Sequence, residues 1–132
     1  MLVYAILVFL VSAVGGVFMA YRILNGEFAP WAVSLIHLIL GGAGLVLVLL
    51  AVMAGEGGFL GQLTFATLLV AALGGFWMAV VHLRKRVASS GLVILHACVA
   101  IAGVMMLVGT AFLFAEMTSS MTADPNTLAP RP

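Results

Sequence analysis

Charge is nearly missing from this chain. Its 132 residues include five basic and four acidic side chains, 7% of the total, while 65% are hydrophobic and the mean hydropathy is +1.34. A soluble domain is about 45–50% apolar and about 25% charged, so so few charges cannot cover a soluble fold of this length. The same figures exclude a disordered, collagenous or disulfide-stapled chain. A formal net charge of +1 provides no basic field to attract nucleic acid. The single cysteine, Cys98, lies in an apolar run, so no intrachain disulfide forms and the C-x-x-C-H attachment of a c-type haem is excluded. Enzyme signatures are missing too: there is no H-E-x-x-H, no P-loop and no G-x-S-x-G. No Asp or Glu interrupts the apolar runs, which removes the usual means of binding a coupling ion for transport.

What is present is long apolar sequence. A spanning helix needs about 20 mostly apolar residues, and four stretches qualify: about Leu2–Leu24, Pro30–Ala54, Phe59–Leu83 and Ser89–Ala115. Gly26 and Pro30 part the first from the second, Gly55, Glu56, Gly57 and Gly58 the second from the third, and Arg84, Lys85 and Arg86 end the third. Connections this short make neighbours antiparallel. The expected fold is all-α, an integral membrane four-helix bundle filling residues 1–115. The segment from about Glu116 to Pro132 is polar, carries three of the four prolines and is expected to be a disordered tail. The first run has no basic residues ahead of it, and Arg22 follows it, which reads as an uncleaved span rather than a signal peptide. Arg22, Arg84, Lys85 and Arg86 flank the first and third loops, against Arg131 alone on the opposite side. The positive-inside rule then puts those loops in the cytoplasm and both termini outside, consistent with a bacterial inner membrane.

The chain also repeats itself. Displaced by 59 residues, Gly15, Gly16, Met19, Ala20 and Leu24 fall on Gly74, Gly75, Met78, Ala79 and Leu83, Phe18 falls on Trp77, and His37, Ala43 and Gly44 fall on His96, Ala102 and Gly103. The bundle is therefore expected to consist of two tandem helical hairpins, about 1–55 and 59–115, forming parallel repeats. Counted from the middle of each cytoplasmic loop at about 1.5 Å per residue, both Gly pairs and both histidines lie at nearly one depth. Two imidazoles on helices of the same direction can ligate a haem iron from opposite sides. Glycines on the other two helices remove bulk where a porphyrin edge must fit.

In these features the chain resembles the membrane-bound b-type cytochromes. In that family the first and third helices carry glycines and the second and fourth carry haem-ligating histidines. Gly15, Gly16, Gly74 and Gly75 match the glycine positions, and His37 and His96 match the ligands. The two-haem members carry two histidines on each ligand helix. One on each here implies one haem b, with electron transfer as the function and a redox partner protein or quinone as its counterpart. The chain also looks like small bacterial four-span proteins with the same repeated Gly-Gly and His pattern.

Other readings stand beside this one. A cofactor-free structural or assembly subunit of a larger membrane complex would use the same histidines for hydrogen bonds between helices. His82, whose repeat counterpart is Ile23, suits either a hydrogen bond to a haem propionate or an amphipathic interfacial side chain. Arg22 and Arg84, with Lys85 and Arg86, suit pairing with propionates or the setting of topology alone. Met19 and Met78 read as core filler. Glu116, Met117 and Met121 form a weak Cu(I) pattern. Small residues in parallel repeats leave a homodimer open.

Overall fold

A computed structural model describes residues 1–123 as four helices: α1 (Leu2–Leu24), α2 (Trp31–Met53), α3 (Gly58–Leu83) and α4 (Ser90–Ala123). No strand occurs among the described residues. All four helices are long and apolar enough to cross a membrane, and the chain is an integral membrane protein. Around the bundle each helix packs on two neighbours, in the order α1, α2, α3, α4 and back to α1. The α1/α2 and α3/α4 pairs are the most intimate, and α1/α3 and α2/α4 are the diagonals.

Local sequence ends each helix cleanly. At the foot of α1 the amides of Gly26 and Glu27 bond to the carbonyls of Ile23 and Arg22, at 2.9 and 3.0 Å, a Schellman turn that requires a left-handed residue. Gly26 supplies it with φ +76°. At the foot of α3 the amides of Lys85 and Arg86 reach His82 and Val81 in the same way. Here Lys85 takes φ +55°, a conformation that costs a non-glycine residue about 1 kcal/mol. Pro30, extended at φ −64° and ψ 133°, precedes the first turn of α2. At the opposite end of the bundle the Glu56 carboxylate lies 3.0 Å from the Met1 amine and 3.3 Å from the Leu2 amide, where a negative charge complements the start of α1.

A cluster of buried apolar side chains lies at that end. Leu2, Ala5, Val48, Ala51, Leu68 and Leu107 form it, with Ile6, Phe9, Leu45 and Phe65 packed around them. Phe9 fills the space above Gly44, and Leu68 fills the space above Gly103. Beside Ala5 and Ala51, both wholly buried, Thr64 and Thr110 are joined by a hydroxyl–hydroxyl contact of 3.1 Å. The carbonyl four residues earlier is within reach of each, so one hydroxyl donates to its carbonyl while accepting from the other, and neither is left unsatisfied; such bonds between spans are worth about 0.6 kcal/mol. The outward faces are apolar, with Val14 and Val17 74% and 72% exposed, and in a membrane they meet lipid.

One expectation is corrected. The fourth helix does not stop near Ala115 but continues about two turns through Ala123, so part of the polar segment from Glu116 is helical. Propagating an existing helix is far cheaper than nucleating one, and Thr118, Ser119, Ser120 and Thr122 turn their hydroxyls back onto carbonyls three or four residues earlier. The rest of the expected tail, 124–132, including Arg131, lies outside the described residues.

Candidate functional site

The two histidines lie on diagonal helices, His37 on α2 and His96 on α4. Their ring centroids are 6.4 Å apart, with the ring planes at 75°. Each ring is seated against the neighbouring helix of its own hairpin. A Cβ on Gly16 would come within 3.0 Å of His37 Cε1, and one on Gly75 within 3.1 Å of His96 Cε1. Gly15 and Gly74 lie against the Cβ atoms of the same two residues, at 3.8 and 3.9 Å from an added Cβ. The four glycines and two histidines thus form one layer. The immediate occupant of each glycine gap is the imidazole itself, where the sequence had suggested a porphyrin edge.

Hydrogen bonding fixes how each ring is turned. His37 Nδ1 lies 2.9 Å from the carbonyl oxygen of Ser12, and His96 Nδ1 lies 2.9 Å from that of Ala71. A carbonyl only accepts, so both Nδ1 atoms carry the proton and donate. In the neutral imidazole the lone pair then belongs to Nε2. Among the described residues no hydrogen-bond partner meets either Nε2: every polar contact of the two rings is made through Nδ1.

Two lone pairs at this spacing have a specific capacity. With metal–nitrogen bonds of about 2.0 Å and about 1.1 Å from nitrogen to ring centre, two imidazoles on opposite sides of one metal atom have centroids roughly 6.2 Å apart. The observed separation of 6.4 Å therefore matches that of two imidazoles on one metal atom. The two rings could not build a complete protein site, because no group of three or more His, Cys, Asp or Glu gathers among the described residues. A metal here must bring its remaining donors with it, as a macrocycle does. Among the described residues no buried apolar side chain in this half of the bundle is larger than valine: they are Ala29, Ala71 and Val93. An apolar groove of about 280 Å³ opens beside His37 between α1 and α2, lined by Val11, Ser12, Val14, Gly15, Val33 and Ile36 with His37 and Leu40.

The remaining candidates are placed elsewhere. His82 stands in the last turn of α3 with its ring edge-on to Trp31 at 4.3 Å and to Phe28 at 5.8 Å. It ties α3 to the α1–α2 connection and makes no ring contact with His37 or His96. Arg22 is engaged locally: its Nε lies 2.8 Å from the Glu27 carboxylate, and Nη2 donates to the Phe28 carbonyl. Arg84 and Lys85 are exposed, and Arg86 lines a small hollow with His82 and Glu27. Met19 accepts from the Ser34 hydroxyl. Glu116, Met117 and Met121 lie on the exposed extension of α4. The residue that sequence reasoning passed over is Ser12, 3% exposed. A lone serine in an apolar run, 25 residues before His37 as Ala71 is before His96, was the available signal.

No family model, curated protein or solved structure matches this chain.

Proposed function

We propose that this protein is a membrane-bound b-type cytochrome that holds one non-covalent haem between His37 and His96 and passes single electrons within, or to, a membrane complex. The observation that carries this reading is the pair of unpartnered Nε2 atoms on rings 6.4 Å apart. Bound haem would supply one-electron chemistry, and two histidine ligands would favour electron transfer over oxygen binding. His37 and His96 would hold it through Nε2, their Nδ1 atoms being tied to the carbonyls of Ser12 and Ala71. One histidine on each of α2 and α4 means one haem per chain. Around the site the helices present apolar side chains outward, Val14 and Val17 among them. Arg84, Lys85 and Arg86 are available to pair with propionates at the near end, whereas Arg22 is already paired with Glu27.

We read the bundle as two tandem hairpins in parallel. In support, the contacts His37–Ser12, His37–Gly16 and Phe9–Gly44 recur 59 residues on as His96–Ala71, His96–Gly75 and Leu68–Gly103. The basic residues at the α1–α2 and α3–α4 connections put those loops in the cytoplasm, and the haem in the leaflet next to them. A reporter fused after Pro132 is expected to behave as external to the cytoplasm; cytoplasmic activity would reverse the orientation.

The test of function is a pyridine haemochrome assay on protein expressed with ample haem. Protohaem at about one per chain, with sharp α and β bands on reduction, is expected. Colourless protein would favour the cofactor-free assembly subunit instead.

A further inference from the structure

The two histidine seats differ at one hydroxyl. Ser12 Oγ lies 3.1 Å from His37 Nδ1 and 3.2 Å from the His37 carbonyl oxygen. At the matching position beside His96 stands Ala71, which offers only its carbonyl. The proton positions follow without choice. The Ser12 carbonyl can only accept, so Nδ1 carries its proton. The Ser12 hydroxyl therefore accepts from Nδ1–H and sends its own proton to the His37 carbonyl. His37 Nδ1–H is thus shared between two oxygens, and His96 Nδ1–H is held by one.

We propose that Ser12 is a positioning residue that makes His37 the stronger electron-pair donor, and the more firmly oriented, of the two imidazoles. Each acceptor facing an Nδ1–H pushes electron density toward Nε2. The Ser12 side chain is almost wholly buried, where a hydrogen bond is electrostatically stronger than in water. The second contribution is mechanical. The groove between α1 and α2 leaves one side of His37 open, and there the hydroxyl holds the ring where packing does not. The two histidine seats are therefore unequal by construction.

The effect on redox behaviour rests on the haem reading above; the hydrogen-bond pattern does not, so two measurements separate them. In protein without added haem, nitrogen NMR of labelled histidines is expected to find His37 protonated at Nδ1 with a bare Nε2. In Ser12→Ala the His37 Nδ1–H resonance shifts and the His96 resonance does not. A proton on Nε2 of His37, or identical His37 signals in Ser12→Ala, would overturn the proposal whatever the protein binds. In haem-loaded protein a stronger axial donor stabilises the ferric state. The midpoint potential is then expected to rise in Ser12→Ala, fall in Ala71→Ser, and stay near the wild-type value in Ser12→Thr. Low-spin haem with an unmoved potential in both Ser12→Ala and Ala71→Ser defeats the proposal and leaves the cytochrome reading standing. Colourless protein with the expected nitrogen pattern does the reverse.

Discussion

His37→Ala and His96→Ala are each expected to abolish haem binding, or to leave a high-spin five-coordinate species, whereas His82→Ala keeps the low-spin spectrum. The magnitude follows from coordination: losing one of two histidine nitrogens would remove half of what the protein contributes to the iron. His82 spends its ring on Trp31 and Phe28, so its loss loosens the α1–α2 connection without removing a ligand. Retention of low-spin haem in His37→Ala together with its loss in His82→Ala would sink the ligand assignment.

Gly16→Leu and Gly75→Leu are the other pair with large expected effects. Even the first carbon of a side chain at these positions meets the imidazole at about 3 Å, and a leucine must push the whole ring aside. Each substitution is expected to expel haem while the protein remains inserted, because the apolar runs and the core at the far end are untouched. Haem content and membrane fraction, measured on one preparation, check this. Full occupancy in both variants would mean that the rings can be seated without the glycine gaps. Alanine is the milder case: a contact of 3.0–3.1 Å asks the ring to give by a few tenths of an ångström, so partial occupancy or an altered spectrum is expected.

The legible part of this protein was the part written in composition and spacing. The bounds of α1 match the first apolar run, and α3 ends at Leu83, where Arg84, Lys85 and Arg86 begin. In lipid the backbone must satisfy itself, so an apolar run of this length has no alternative to helix. The fourth helix ran past its expected end because polarity is a poor stop signal for a helix already formed: Thr118 and Ser119 satisfy themselves on its backbone, and no glycine or proline intervenes before Pro125.

The histidine pair and the glycine pairs were likewise visible as a 59-residue echo, since counting residues along straight helices measures depth. Counting gives no azimuth, however. Which way a ring turns about its helix, and which atom it presents, depends on what the neighbouring helix offers at that level. Chain spacing therefore established that His37 and His96 share a layer, together with the four-helix membrane architecture around them. Only the packed structure decided that the glycine gaps receive the imidazoles, that Nδ1 is tied to Ser12 and Ala71 while Nε2 is left bare, and that His82 faces Trp31. The reason is physical: hydropathy and spacing act along one dimension, whereas a lone pair's direction is set by contacts between helices that are distant in the chain.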